Sequence, residues 1–144
     1  MCSSGGHLAQ LHNLEPWWSA HERLWVSFDT PDAVSLLDGE RTVWAHHPTT
    51  RNLPNAARNL RLAWRVLRGE RPDVVVSDGA GIALPFFMVA RALKIPTAYI
   101  EVYDRLDSRT LTARLCRPIT NLFCVQRPEQ LRLYPRSHLI GALL

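Results

Sequence analysis

Short runs of β-branched and aromatic residues alternate along the chain with longer stretches in which apolar residues recur every three to four positions. This alternation is typical of βα units and predicts an α/β fold with a Rossmann-like, mostly parallel sheet. The predicted strands are residues 24–28, 42–45, 74–77, 97–100 and 121–125. The predicted helices are residues 7–20, 31–37, 56–68, 82–93, 110–117 and 129–133. A length of 144 residues fits a single domain, 1–144.

The start of the sheet is unusual. Parallel α/β domains begin with a buried strand that leads into a glycine-rich turn, but here the turn begins at Ser3, after Met1 and Cys2 alone. The first strand is therefore expected to be truncated, or the chain to start upstream of Met1. We favour the second explanation.

Two of the predicted helices have informative surfaces. In 56–68, Leu60, Ala63, Trp64 and Leu67 are predicted to form one core face, with arginines on the other sides. The basic side is either solvated or lies on anionic headgroups. Residues 82–90 are apolar all round, so either neighbouring helices, a membrane surface or a partner subunit must cover them.

Composition narrows the class of protein only modestly. The net charge is +4, with sixteen Arg and one Lys, which indicates either phosphate-bearing ligands or simply a codon preference for Arg, so charge alone selects no partner. The three cysteines show neither zinc-site nor disulfide spacing, which favours a reduced, cytoplasmic setting. No metal cluster is visible in the sequence, and no cofactor is expected. No signal peptide or membrane-spanning segment is recognisable, which favours a cytoplasmic location.

The strongest local motif is Ser3-Ser4-Gly5-Gly6-His7, followed by an apolar helical pattern. Glycines at a strand-to-helix turn permit close backbone approach, and a helix N-terminus attracts anions, so the turn suits a phosphate group. The alternative is a plain tight turn with a serine N-cap. His7 is a candidate base at neutral pH, although a lone histidine is more often structural.

Two other strand ends carry polar residues. Asp78, Gly79 and Gly81 follow strand 74–77, where ligands bind in open α/β sheets, although Asp78 taken alone is more often a helix cap. Glu101 and Arg105 follow strand 97–100, and Glu101 either orients a sugar hydroxyl or pairs with an arginine. These positions together predict a site on one edge of the sheet.

In combination these motifs carry a family resemblance. Residues 2–8, 77–81 and 99–101, with the later Gln-Arg-Pro-Glu-Gln at 126–130, Tyr-Pro at 134–135 and Ile-Gly at 140–141, resemble the Alg14 family and its PssD-type exopolysaccharide members. The resemblance implies the acceptor-side, N-terminal half of a split GT-B glycosyltransferase. A separate Alg13- or PssE-like subunit would bind most of the UDP-sugar.

By that resemblance, the enzyme transfers a sugar of the N-acetylglucosamine or glucuronic acid class to a polyprenyl-diphosphate-linked acceptor. The expected site residues are His7 and Glu101 as candidate bases, with the diphosphate held by Ser3, Ser4, Gly5, Gly6, Asp78, Gly79, Gly81 and Arg105. Peripheral attachment to the inner face of the cytoplasmic membrane is expected. The apolar tail, residues 139–144, either docks on the partner or forms a final strand.

Two other functions compete with this hypothesis. A non-catalytic adaptor that recruits a catalytic partner to the membrane would share the fold and the surfaces. A dinucleotide-dependent oxidoreductase is disfavoured because no GxGxxG motif with a downstream acidic residue follows a strand.

Overall fold

A parallel β-sheet in two parts organises the chain, whose computed structural model describes residues 1–143. Strands β1 and β2 pair with each other, and β3 to β6 form a second group in that order, every pair parallel. The strands are β1 (Trp25–Ser27), β2 (Thr42–Trp44), β3 (Val75–Ser77), β4 (Thr97–Ile100), β5 (Leu122–Val125) and β6 (His138–Leu139). The five predicted strands are confirmed, each within one residue of its predicted ends.

The first two residues connect the two parts of the sheet. The Met1 ammonium group donates to the carbonyl oxygen of Val76 in β3 at 2.8 Å, and the Cys2 N–H donates to Val26 in β1 at 3.1 Å. Met1 and Cys2 thus occupy the place of a strand between β1 and β3. Beside them lies a cavity of about 490 Å³, whose lining includes Trp25 and Val75.

Helices lie on both faces of the sheet. Successive side chains of each strand point to opposite faces, and both sets are apolar and need to be covered. Tyr99 and Phe123 pack with helices α4, α5 and α6, whereas Ile100 and Cys124 pack with α1 and α3. The helices are α1 (Gly6–His12), α2 (Glu15–Trp18), α3 (Pro31–Leu36), α4 (Leu53–Glu70), α5 (Ala80–Ala92), α6 (Leu111–Cys116) and α7 (Gln130–Leu133), and a 3-10 turn spans Arg117–Ile119.

The predicted helix 7–20 is not one continuous helix in the structure. It is two helices, α1 and α2, separated at Asn13 and Leu14. Pro16 lies in the first turn of α2, where its missing N–H costs no intrahelical hydrogen bond. The apolar period runs through both helices, so the periodicity alone does not reveal the break.

Helix α4 begins three residues before its predicted start, because the side chain of Asn52 accepts a hydrogen bond from the Asn55 N–H at 3.0 Å. Its predicted core face is half wrong. Ala63 and Leu67 are buried, but the side chains of Leu60 and Trp64 are 39% and 45% exposed. The buried face is completed instead by two asparagines, Asn55 and Asn59.

Helix α5 is covered by its neighbours within the chain. Its buried residues include Ile82, Phe86 and Phe87, and it packs closely against α4 on one side and α6 on the other. Met88 is the large apolar residue of α5 that stays half exposed. Of the three proposed covers for the apolar segment 82–90, the structure therefore shows neighbouring helices of the same chain. No helix within residues 1–143 has the length and apolar content to cross a bilayer.

The tail forms the final strand of the sheet. β6 pairs with β5, and the Ile140 N–H continues the ladder to the Val125 carbonyl oxygen at 2.9 Å. The Leu143 carbonyl oxygen then accepts a hydrogen bond from the Asn13 side chain at 2.6 Å. The final-strand alternative is thus confirmed at Leu139, residues 140–143 follow that strand without being part of it, and residue 144 lies outside the described residues.

We predict that Asn59→Ala lowers the free energy of unfolding by about 1 to 2 kcal/mol. The Asn59 side chain accepts from the His46 N–H and donates to the His46 carbonyl oxygen, both at 2.8 Å, and it fixes the chain after β2 to α4. Urea unfolding measures the change. Asn13→Ala, which removes one exposed hydrogen bond, is the matched control and should cost about 0.5 kcal/mol. Equal losses in the two variants would contradict the anchoring role.

Candidate functional site

A pocket opens at the edge of the sheet where the strands end. It has a volume of about 440 Å³, and its lining includes Gly6, His7, Asp78, Glu101 and Arg105. These residues come from the first turn and from the segments that follow β3 and β4. The structure therefore brings these five of the predicted site positions together at one edge of the sheet. Ser3, Ser4, Gly5, Gly79 and Gly81 flank the pocket without lining it.

Both glycine turns of the site contain a position that requires glycine. Gly5 has φ of +70° and Gly79 has φ of +108°, which side-chain-bearing residues rarely adopt. A Cβ on Gly79 would also lie 2.6 Å from the Tyr99 hydroxyl oxygen. Gly5 is itself the N-cap of α1, so the alternative of a serine N-cap is wrong.

The Gly5 N–H is held by an acidic residue from the next helix. Asp32, in the first turn of α3, accepts this N–H at 2.8 Å. The Thr30 hydroxyl and the Gly5 N–H beside it lower the pKa of the Asp32 carboxyl. This contact fixes the shape of the glycine turn, and the sequence analysis missed it because it joins residues 27 positions apart.

His7 and Asp78 form the central pair of the site. The Nδ1 atom of His7 lies 2.9 Å from an Asp78 carboxylate oxygen, with the histidine side chain 30% exposed and the aspartate side chain fully buried. A carboxylate accepts only from a protonated nitrogen, so Nδ1 carries the hydrogen in the neutral ring. The Nε2 atom then holds the lone pair and is the basic atom.

The environment of this pair makes the imidazole more basic. Burial lowers the pKa of His7, but the hydrogen bond and charge of Asp78, with a smaller effect from Asp104, outweigh it and raise the pKa above its usual value. Burial raises the pKa of Asp78, and the His7 partner opposes that shift. Asp78 does not cap α5, whose N-cap residue is Gly79 and has no side-chain bond.

Glu101 is fully buried at the end of β4, and its carboxylate is turned towards its own loop. One oxygen accepts the Val102 N–H at 3.1 Å, and the other accepts the Thr110 hydroxyl at 3.5 Å. Burial raises the pKa of Glu101, against the opposing effect of the Tyr134 hydroxyl and these donors. Thr110 also caps α6, so Glu101 links β4 to the start of that helix.

Two glutamines that the sequence analysis did not assign hold the other side of the same loop. The Gln130 amide nitrogen donates to the carbonyl oxygens of Val102 at 2.7 Å and Arg105 at 3.1 Å. The Gln126 amide nitrogen donates to the Glu101 carbonyl oxygen at 3.0 Å and to Gln10 of α1 at 2.5 Å. The segment that carries Arg105 is therefore fixed to both α1 and α7.

The fold and the site together define a class of protein. Over its whole length the chain superimposes on 45% of MurG from Acinetobacter baumannii, with a TM-score of 0.75 and 17% sequence identity. The structure is therefore a Rossmann-like α/β fold of the kind that forms one half of a GT-B enzyme, with a histidine–carboxylate pair at its strand ends.

The family follows from sequence. Residues 40–143 match the model for "Oligosaccharide biosynthesis protein Alg14 like", and the chain belongs to that family. It is 31% identical to the UDP-N-acetylglucosamine transferase subunit ALG14 of Eremothecium gossypii, covering 67% of this chain and 45% of the relative. It is 29% identical to the UDP-N-acetylglucosamine–N-acetylmuramyl-(pentapeptide) pyrophosphoryl-undecaprenol N-acetylglucosamine transferase of Moorella thermoacetica, covering 67% and 24%. The chain thus spans less than half the length of these relatives.

We predict that Asp78→Asn lowers the pKa of His7. The substitution removes the charge and the carboxylate hydrogen bond that raise it, while the burial that lowers it remains. NMR titration of the imidazole resonances measures the change. An unchanged His7 titration would contradict the pairing.

Proposed function

We propose that this chain is the acceptor-side subunit of a two-component, inverting UDP-sugar glycosyltransferase. The observation that carries the proposal is the His7–Asp78 pair, which lines the strand-end pocket and leaves Nε2 as the basic atom of the imidazole. Membership of the Alg14-like family supports the proposal, because the matched ALG14 relatives are named as subunits of a UDP-N-acetylglucosamine transferase.

The proposed donor is UDP-N-acetylglucosamine, which we favour over a glucuronic acid donor because the names of the matched relatives carry that sugar. The proposed acceptor is a polyprenyl-diphosphate-linked sugar. The name of the Moorella thermoacetica relative describes such a lipid, pyrophosphoryl-undecaprenol. The pathway would be surface polysaccharide or lipid-linked oligosaccharide synthesis.

In the proposed reaction, the acceptor hydroxyl oxygen attacks the anomeric carbon of the donor while the bond from that carbon to the UDP oxygen breaks. His7 Nε2 takes the hydroxyl proton, and the bonding electrons leave with UDP, so the anomeric configuration inverts. Asp78 stabilises the imidazolium that forms and keeps Nδ1 protonated beforehand. Glu101 acts as a positioning residue, because its carboxylate is buried and engaged with its own loop.

Backbone groups and an arginine are the proposed diphosphate ligands. The turn at Ser3, Ser4, Gly5 and Gly6 and the glycines Gly79 and Gly81 present main chain near the pocket, and Arg105 lines it. The sequence analysis expects Asp78 among the diphosphate-binding residues, but in the proposed reaction Asp78 orients and charges His7 instead. A negatively charged group buried beside the ligand would repel a diphosphate.

The proposed partner is an Alg13- or PssE-like subunit that binds most of the UDP-sugar. The proposed place of action is the inner face of the cytoplasmic membrane, where a lipid-linked acceptor meets a soluble nucleotide sugar. The pair would form the two halves that a single-chain GT-B enzyme carries in one polypeptide.

We predict that this chain alone has no measurable transferase activity and that adding the donor-binding subunit produces it. Transfer of labelled N-acetylglucosamine to a short-chain polyprenyl-diphosphate acceptor measures both. The partner alone is the matched control and should also be inactive. Full turnover by the lone chain would overturn the two-component assignment.

We predict that His7→Ala reduces kcat of the reconstituted pair by about 100-fold or more, because it removes the base. His12→Ala, a histidine on the same helix outside the pocket, should stay within about twofold of the wild type and is the control. Glu101→Gln should lower kcat less than His7→Ala.

The pH dependence of the transfer rate distinguishes a catalytic role of this chain from that of a non-catalytic adaptor. The rate should rise with pH through the His7 pKa, and Asp78→Asn should shift that rise to lower pH, because the variant holds the proton less tightly. A non-catalytic adaptor predicts unchanged turnover and an unchanged pH profile for His7→Ala and Asp78→Asn once the complex has formed.

A further inference from the structure

A tight turn at residues 102–105 forms part of the wall of the strand-end pocket. The turn closes where the Arg105 N–H donates to the Val102 carbonyl oxygen at 3.4 Å. Tyr103 and Asp104 occupy its two central positions, and both line the pocket that also contains His7. Their side chains are therefore available to a ligand in that pocket.

The backbone of this turn is fixed by side chains that lie behind it. The Val102 N–H donates to the Glu101 carboxylate at 3.1 Å. The Gln130 amide nitrogen donates to the carbonyl oxygens of Val102 and Arg105, at 2.7 and 3.1 Å. None of these hydrogen bonds uses a side chain from the two central positions. The turn thus presents those side chains in a fixed place, which lowers the entropic cost of binding a ligand.

Asp104 carries a carboxylate without a cationic partner. Its side chain is exposed, and it forms no ion pair with any residue from 1 to 143. It lies near enough to His7 for its charge to contribute to the raised pKa of that histidine. An ionised carboxylate only accepts hydrogen bonds. Asp104 therefore offers acceptor oxygens beside the proposed base.

Tyr103 supplies an aromatic ring next to this carboxylate. The Arg127 guanidinium lies 5.0 Å from the centre of the ring, and the Arg127 Nε atom lies 3.4 Å from a Glu129 carboxylate oxygen. The ring is half-buried and is supported by this arginine. A tyrosine ring combines an apolar face with a polar hydroxyl, which suits a ligand that has both C–H and O–H groups.

We propose that Tyr103 and Asp104 form the subsite for the acceptor sugar. The Asp104 carboxylate accepts hydrogen bonds from hydroxyls next to the one that reacts, and the Tyr103 ring packs against C–H groups of the pyranose. A carboxylate at this position selects a neutral donor of hydrogen bonds and repels a phosphate group. The sugar, and not the diphosphate, is therefore the part of the acceptor that this turn selects.

The next residue gives the direction in which the acceptor lies. Arg105 is a proposed ligand of the diphosphate, and it follows Asp104 directly in the turn. In a sugar linked to a diphosphate the two groups are also adjacent. Successive residues of one turn would thus bind successive parts of the acceptor. The subsite rests on the proposed function for the presence of a sugar acceptor and for His7 as its base.

Acceptor binding without turnover tests the subsite. The reconstituted pair is loaded with UDP in place of the nucleotide sugar, and calorimetry measures the Kd of short-chain polyprenyl-diphosphate-linked glucose and N-acetylglucosamine. Asp104→Ala should raise the Kd of the sugar that binds more tightly at least about tenfold, because a hydrogen bond to a charged group is lost. Tyr103→Ala should also weaken binding, and Tyr103→Phe, which keeps the ring, should restore most of the loss.

A matched control comes from the same loop. Asp107 is an exposed aspartate that does not line the pocket, so Asp107→Ala should bind the acceptor within about twofold of the wild type. Urea unfolding of each variant checks that it is folded. Equal losses in Asp104→Ala and Asp107→Ala, or no binding of either sugar by the wild-type pair, would overturn the subsite.

Singly deoxygenated acceptors separate a direct contact from a structural role. One analogue, which lacks the hydroxyl bound by Asp104, should bind the wild type about tenfold more weakly than the parent sugar. Asp104→Ala should bind that analogue and the parent sugar equally well, because the effects of removing two partners of one contact do not add. The same loss from Asp104→Ala for the parent sugar and for every analogue would refute the contact.

The transfer assay keeps the subsite separate from the proposed reaction. Binding that depends on Asp104, in a pair that transfers no sugar, would leave the subsite standing and refute the reaction. Transfer by Asp104→Ala with an unchanged KM for the acceptor would refute the subsite and leave the reaction standing.

Discussion

The carboxylate of Asp78 is the group that constrains the site most strongly. It lies at the end of β3 with its side chain fully buried, and an unpaired charge in such a place costs several kcal/mol. His7 supplies the main compensating contact, from a helix that precedes Asp78 by 71 positions. For this contact to form, the glycine turn must deliver the first residues of α1 onto the end of β3.

The rest of the site follows from that requirement. Gly5 takes a positive φ so that the chain can turn sharply into α1, and Asp32 holds the Gly5 N–H from the next βα unit. On the other side, Gln10 of α1 bonds to Gln126, which also holds the end of β4. The polar groups that surround the pocket thus form links between neighbouring βα units, and each link fixes the end of one strand relative to the next.

Sequence reasoning was reliable where local pattern and topology decide the outcome. The strands were found because short β-rich runs are rare outside strands, and His7, Asp78 and Glu101 were brought together because parallel strands end at a common edge. The predicted core face of helix α4 is wrong at Leu60 and Trp64, because two asparagines, Asn55 and Asn59, occupy the buried side of the helix. Their burial depends on backbone partners at Pro48 and His46, outside the helix, and no periodicity reveals such partners. The same holds for Asp32 and the glutamines, whose roles exist only through contacts distant in sequence.

The charge in the pocket gives a physical reason for the separate donor-binding subunit in the proposed enzyme. Its lining includes the acidic side chains of Asp78, Glu101 and Asp104 and the basic side chains of His7 and Arg105. The departing UDP carries a concentrated negative charge, and stabilising it requires more cations and N–H donors than these residues offer. The acids instead suit a base that must gain a proton, since they stabilise an imidazolium. If His7 is the base of the proposed reaction, the same pocket is poorly suited to hold the leaving group, and a donor-binding subunit with the opposite electrostatic character would resolve that conflict.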